Sequence, residues 1–431
     1  MCSIDQAGKR FAGNGGDMGG PPATVKPHIC TFPDAVLLQI FNHIPTNRNK
    51  VENRHALPLV CKRFWDLMQT DDAKSTLWTE ICVNIPTHPA FHKFPLDSLY
   101  SWILLYGAHI TSLTLEINGI EGWGPAQALL GLVGPRLSSL RVYSDNDDAP
   151  AFEPKSKAPW LALTPVLQAL ELEGVVDISI EKANLPSGLT HLALNGCGQT
   201  GLTRIPETLS TLSSLHSLSL QFMDPGADLE GLSSLKSLKQ LDLSSCSLSV
   251  IPSELTALDH LSSLTLNDNE ELGGRENAAR VAVLANLPRL AVLEMRDCGL
   301  KNVPDSITNL TSLRTLLLGY NDFNSTVTDR GVIIPEGPYL SSLELLAMSD
   351  CISEPANIIE VLIKPLAAAK SLQVLRIYRN WGIALNTAVA AALLKGKSHF
   401  RKLEYSEDMG VEMDVRKLKK VFPGVTFKVV E

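Results

Sequence analysis

Residues 238–260 read Leu-Lys-Gln-Leu-Asp-Leu-Ser-Ser-Cys-Ser-Leu-Ser-Val-Ile-Pro-Ser-Glu-Leu-Thr-Ala-Leu-Asp-His, and at Leu261 the same spacing begins again. Leu241 and Leu243 alternate with a period of two, which puts both side chains on one face of a short strand. Cys246 stands where the chain must turn off that strand. Ile251 and Pro252 open a return segment, and Leu255 and Leu258 point back inward. A unit of this size cannot close a core alone, so it must be stacked on copies of itself.

The skeleton is the L-x-x-L-x-L-x-x-N/C-x-L pattern of a leucine-rich repeat. It recurs at Ile110, Leu137, Leu167, Leu189, Leu215, Leu238, Leu261, Leu290, Leu313, Leu343, Leu372 and Phe400, at spacings of 22 to 30 residues. The expected fold is therefore an α/β solenoid: a leucine-rich-repeat horseshoe of about twelve units over 110–431, with a parallel β-sheet on its concave face. Residues 414–420 and 425–430 read as a last helix and a closing strand. Cys197, Cys246, Asn269, Cys298, Asn321 and Cys351 share one repeat position. They read as small side chains that satisfy backbone groups turning away from the sheet, and all eight cysteines read as thiols. Ala278–Leu287 and Ile358–Ala369 favour helix on the return side. Residues 145–159 and 326–338 interrupt the pattern and are candidate binding loops.

Aromatic residues make up 6% of the chain against 45% hydrophobic residues, so the core must be aliphatic. A net charge of −8 argues against a nucleic-acid partner, for which a basic face is the rule. With no long apolar run at the start of the sequence and no stretch long enough to span a bilayer, the reading is a cytoplasmic or nuclear protein. No G-x-S-x-G, phosphate loop, H-E-x-x-H or paired C-x-x-C is present, so no enzyme activity, metal or cofactor is expected.

The N-terminal part differs. Residues 1–27 are rich in Gly and Pro and read as a disordered tail. Over 28–84 the apolar residues Val36, Leu37, Ile40, Phe41 and Ile44 recur at helical spacing. A second helix follows from Pro58, and Leu77 and Trp78 open a third short element running into Ile81 and Val83. The order Phe32-Pro33-Asp34, Leu37, Ile40, Phe41, Ile44-Pro45, then Leu59-Val60-Cys61-Lys62-Arg63, then Leu77-Trp78 resembles the F-box motif. It departs from the family in having Phe32 for the leading leucine, Phe64 at the usual tryptophan position, and a longer segment between Pro45 and Leu59. Residues 85–109 read as a linker and a capping helix.

Together the two parts resemble F-box proteins with leucine-rich repeats, in the style of plant and green-algal members. The resemblance implies a substrate receptor of a Skp–cullin–F-box ubiquitin ligase, with a three-helix F-box docking a Skp-type adaptor and through it a cullin. Phe32, Pro33, Leu37, Ile40, Phe41, Leu59, Val60, Phe64 and Trp78 are the adaptor-binding residues so implied. The x residues of each L-x-L would face the concave side and hold a protein substrate. Arg141, Tyr143, Arg296, Arg376, Tyr378 and Trp381 are the interface-type side chains among or beside them. The alternative is a non-catalytic intracellular scaffold, cytoskeletal or ciliary, in which 28–84 is only a cap.

Overall fold

The computed structural model describes residues 79–85, 107–117, 123–143, 159–174, 184–196, 204–223, 226–274, 277–324, 333–409 and 413–430. It also describes isolated residues and short runs at 37, 66, 67, 70–72, 74, 100, 103 and 104. The chain divides into two compact units, Met1–Leu77 and Trp78–Glu431.

Little of the first unit is described. Leu37 is helical and buried, and Leu67 is buried in a second helical stretch. There the Thr70 amide donates to the Leu67 carbonyl at 3.1 Å and the Lys74 amide to the Thr70 carbonyl at 3.0 Å.

The second unit is one parallel sheet whose fourteen described strands follow sequence order without a crossover. They are β1 (Glu80–Ile85), β2 (Ser112–Ile117), β3 (Ser139–Tyr143), β4 (Ala169–Glu173), β5 (His191–Asn195), β6 (Ser217–Ser219) and β7 (Gln240–Asp242). The series continues with β8 (Ser263–Thr265), β9 (Val292–Glu294), β10 (Thr315–Leu317), β11 (Leu345–Ala347), β12 (Val374–Arg376), β13 (Lys402–Tyr405) and β14 (Thr426–Val429). Twelve of them, β2 to β13, begin two residues after the repeat starts read from the sequence. Register is exact along the array: Leu218 pairs with Leu241, Leu241 with Leu264, and Leu264 with Leu293. Each leucine therefore stacks on its counterpart in the next repeat.

The boundary expected at residue 84 moves. Glu80–Ile85 is not part of a helical domain; it is a full strand paired with Ser112–Ile117 along its whole length. The cause is period-two alternation, because Ile81, Val83 and Ile85 are all buried. Three apolar residues on one face satisfy a sheet edge better than a helix.

Prolines open several return segments. Pro206, Pro252 and Pro304 sit at φ −59°, −58° and −62° immediately before the 3₁₀ turns Glu207–Thr211, Ser253–Ala257 and Asp305–Ile307. The ring fixes φ at the value the turn needs. The helix-favouring stretches are more broken than expected. Asn277–Arg280 makes one α-turn before a 3₁₀ turn at Ala282–Asn286. Ile359–Ile363 is a wide π-type turn leading into Lys364–Leu366, where Pro365 sits at the start and cannot donate. True helices form at Trp123–Val133, Thr387–Leu394 and Val415–Val421. The last two are capped by Asn386 and Asp414, whose side-chain oxygens accept from Val389 N at 3.0 Å and Lys417 N at 2.9 Å.

The core is a continuous column of leucines, with Leu209, Leu232, Leu255 and Leu284 of the return turns closing it opposite the strands. Each such side chain contributes about 1.5–3 kcal/mol on burial, so neighbouring repeats hold each other in place.

Candidate partner-binding face

Inward leucines leave the alternate side chains of every strand on the opposite face of the sheet. The rim of that face is built by one recurrent backbone feature. Immediately before the shared Cys/Asn position, the chain takes a left-handed conformation, with φ between 49° and 66°. It does so at Gly174, Gly196, Phe222, Ser245, Asp268, Asp297, Tyr320, Asp350 and Arg379. For a residue with a Cβ this conformation costs about 1–2 kcal/mol.

The turn is held because each of these amides extends the sheet by one more bond. Gly196 N donates to Gln221 O at 2.9 Å, Phe222 N to Ser244 O at 3.2 Å and Ser245 N to Asn267 O at 2.9 Å. Asp268 N donates to Arg296 O at 2.9 Å, Asp297 N to Gly319 O at 3.0 Å, Tyr320 N to Ser349 O at 2.9 Å and Asp350 N to Tyr378 O at 3.1 Å. Arg379 N ends the series on the Ser406 hydroxyl at 2.9 Å.

The next position locks the turn. Asn269, Asn321 and Asn380 are buried. The Asn321 Oδ1 accepts from Cys298 N and Leu300 N, both at 3.0 Å. Its Nδ2 donates to Met295 O and Leu318 O, both at 2.8 Å. Asn269 repeats the arrangement with Cys246 and Leu248, and Asn380 with Cys351 and Ile352. The cysteines do a different job. Each thiol donates to the carbonyl two residues back and to one in the preceding repeat, as Cys298 does to Leu266 O at 3.1 Å. Cys246, Cys298 and Cys351 are free and buried. Burial pushes their thiols up, to about 11 for Cys246 and about 12 for Cys298 and Cys351. Cys197 lies outside the described residues.

At the N-terminal end of the face, Arg141 is clamped by Glu173 at 2.8 Å and Glu171 at 3.3 Å. Its guanidinium carbon lies 5.7 Å from the centre of the Tyr143 ring. Tyr143 was expected to be an exposed contact, but it is only 2% exposed. Its hydroxyl donates to Glu116 Oε2 at 2.8 Å. A ring this large, flanked by Arg141 and tied to the neighbouring strand, closes over itself and leaves no surface for a partner. In the middle, Arg296 is half-buried, and its guanidinium lies 3.8 Å from Glu294.

At the C-terminal end, Glu404 is buried among cations. Lys402 Nζ lies 2.7 Å from its Oε1, Arg376 Nε 2.8 Å from Oε2, and Lys428 Nζ 3.8 Å from Oε1. The Arg376 contact is a close ion pair without the alignment of a hydrogen bond. Burial alone would raise the Glu404 carboxyl, but the Lys402 hydrogen bond and the charges of Arg376, Lys402 and Lys428 outweigh it and hold it below its ordinary value. Tyr378 is half-buried on the same face, and Trp381 is 58% exposed just beyond it.

Of the adaptor-binding residues implied by the motif, Leu37 is the one described, and it is buried in its helix. Phe32, Pro33, Ile40, Phe41, Leu59, Val60, Phe64 and Trp78 lie outside the described residues, as do the interrupted stretches 145–158 and 326–332. The left-handed rim was missed in the sequence reading. Its signal was Gly, Asp and Ser recurring just before the Cys/Asn position, at Gly174, Gly196, Ser245, Asp268, Asp297 and Asp350. Among the described residues no group of His, Cys, Asp and Glu could hold a metal ion, and no helix is long and apolar enough to cross a membrane.

A family model for the Leucine Rich Repeat matches residues 237–258. Those residues hold strand β7 and the return turn Ser253–Ala257 of one repeat. The chain contains leucine-rich repeats. Mouse volume-regulated anion channel subunit LRRC8E is 34% identical over 132 residues, covering 29% of this chain and 16% of that protein. The chain thus spans well under two thirds of that relative. An internalin from Listeria monocytogenes aligns over 78% of this chain and 90% of its own at 16% identity and a TM-score of 0.44. A leucine-rich-repeat protein of Leptospira interrogans aligns over 74% and 90% at 18% identity and a TM-score of 0.42.

Proposed function

We propose that this chain is a protein-recognition subunit. It would hold a protein partner on the open face of the repeat sheet and present it, through the F-box-like residues 28–84, to a Skp-type adaptor and a cullin ubiquitin ligase. The observation that carries the recognition half is the face itself. The inward leucines fill the core and the buried Asn and Cys residues bond the turns from Cys246 to Asn380, so the outward strand positions are free to vary in chemistry from repeat to repeat. The ligase half rests on the ordered motif, above all Leu59-Val60-Cys61-Lys62-Arg63 behind a helix containing the buried Leu37.

On this reading the chain performs no chemistry. It raises the effective concentration of the partner's lysines beside a ubiquitin-charged enzyme. Phe32, Pro33, Ile40, Phe41, Leu59, Val60, Phe64 and Trp78 would form the adaptor contact around Leu37.

Co-purification tests it. Wild-type chain should retain a Skp-type adaptor, and the Leu59→Asp/Val60→Asp double variant should lose it while keeping its circular dichroism spectrum. If neither form retains the adaptor, the ligase role fails and the chain is left as a repeat scaffold.

A further inference from the structure

The left-handed rim carries side chains that the fold does not need there. Phe222 and Tyr320 are 58% and 49% exposed, although both occupy a position that glycine fills in two other repeats. Between and beside them on the same rim stand Asp268, Asp297 and Asp350. Among the described residues no ion pair engages any of these three carboxylates, and the nearest hydroxyl contact is that of Ser245 with Asp268 at 3.4 Å. Asp242 and Glu294 add negative charge on the adjoining face. The opposing groups there are few: Arg296 is already beside Glu294, and Lys301 is paired with Asp322 at 2.6 Å. The acidic stretch is bounded at its far end by Arg379 and by the Arg376, Lys402 and Lys428 group, so it is confined to β6 through β11.

We infer that the rim from Phe222 to Asp350 binds an extended basic segment of the protein partner, with apolar side chains seated on Phe222 and Tyr320 and lysines or arginines over Asp268, Asp297 and Asp350. This rests on the recognition role proposed above and names the chemistry of its partner. The geometry sets the length. Phe222 and Tyr320 are four strands apart, about 19 Å at roughly 4.8 Å per strand. An extended chain at about 3.3 Å per residue covers that span in about six residues. The sign of the charge excludes an acidic or phosphorylated segment from this part of the face. The aromatics add what carboxylates alone do not give, namely cation–π contact and apolar area at fixed places. Because the amides of Phe222 and Tyr320 are bonded to the Ser244 and Ser349 carbonyls of the next repeat, the backbone that carries both rings is fixed before binding, which lowers the ordering cost.

The test uses the full chain and three fluorescein-labelled peptides, each with capped ends. One has an aromatic residue at either end of a lysine/arginine-rich segment of about seven residues. The second replaces the basic residues with glutamate, and the third replaces the aromatics with alanine. Anisotropy should show binding of the first peptide alone, weakening steeply between about 0.05 and 0.5 M salt as the charges are screened. Asp268→Asn/Asp297→Asn/Asp350→Asn should weaken it at least about tenfold. Phe222→Asn/Tyr320→Asn should do the same, with the thermal midpoint unchanged or raised, because Asn tolerates the left-handed backbone. Equal binding of the basic and acidic peptides, no binding of the basic one, or affinity indifferent to both sets of substitutions would overturn the proposal. Adaptor capture measured on the same preparations reports on residues 28–84 and not on these side chains, so loss of one reading does not masquerade as loss of the other.

Discussion

Two residue types share one repeat position, and their side chains do unequal work. By residue size and repeat position both would be expected to satisfy the backbone where it leaves the sheet. Asn321 does so with four hydrogen bonds that tie two repeats together, whereas Cys298 gives a thiol to two carbonyls and has its own amide satisfied by Asn321. Removing the asparagine therefore orphans two buried amides and the Met295 carbonyl, while the Leu318 carbonyl keeps the Cys351 thiol at 3.1 Å. With each unmet group costing about 1–3 kcal/mol, Asn321→Ala should lose at least about 3 kcal/mol in urea unfolding. Cys298→Ala, which strands no amide, should lose clearly less. The same geometry makes the thiols inert. Burial holds Cys246, Cys298 and Cys351 at about 11 to 12, so hardly any thiolate exists at pH 8. Iodoacetamide applied to the native protein should leave these three unmodified by peptide mass spectrometry, and denaturant should expose all three.

At the level of single repeats, the strand phase was legible because leucine alternation and the return-turn prolines are local signals. The places where reading fell short are those where the deciding interaction is not local. Glu80–Ile85 looked like the tail of a helical region until its pairing with Ser112–Ile117 was seen, since three alternating apolar residues are too few to settle the matter alone. Tyr143 looked like a contact because its strand position faces outward. Only its hydroxyl bond to Glu116 on the adjacent strand shows that it is closed off. The rim's Gly, Asp and Ser signal is masked because Phe222, Tyr320 and Arg379 adopt the same glycine-like backbone there. Leu241 tests the phase directly. It is 2% exposed, and Leu241→Asp buries a charge with no partner, so at least the adjacent repeats should unfold, read as loss of circular dichroism and thermal midpoint. A second element-scale test is the crossing of Gly273 and Gly299. A Cβ on Gly273 would lie 1.9 Å from the Gly299 carbonyl carbon and oxygen, and one on Gly299 would lie 2.4 Å from the Glu270 carbonyl. Neither obstacle is a side chain that can swing aside. Gly273→Ala should thus cost at least about 1–3 kcal/mol, the range for forced overpacking, and Gly424→Ala, where nothing lies within 4 Å, should cost little.

A stacked array is held from neighbour to neighbour, so its stability under stress is decided at its weakest end. At the C-terminal end of the sheet, β13 and β14 are joined by charge as well as by register. Glu404 on β13 faces Lys402, Arg376 on β12 and Lys428 on β14. Its carboxyl is held below the ordinary value of 4.5 in the folded chain, so over the acid range the unfolded chain binds the proton more readily. The contribution of this cluster is therefore complete above the unfolded carboxylate range and is lost as the pH falls through the ordinary value and on through the lowered one. Glu404→Gln should lower the thermal midpoint at neutral pH, since Arg376, Lys402 and Lys428 then crowd one another without their shared anion. It should also flatten the fall in midpoint below about pH 5, because the group whose proton uptake drives part of that fall is gone. Asp322, held low by the Lys301 hydrogen bond against opposing burial, titrates in the same direction on the loop side. It is about half exposed, so solvent screens its pair and Asp322→Asn should leave the profile nearly unchanged. The comparison of the two substitutions across one pH series locates the acid sensitivity. If the Glu404→Gln profile keeps the wild-type slope, the charged end of the sheet does not govern acid unfolding, and the loss must begin elsewhere in the array.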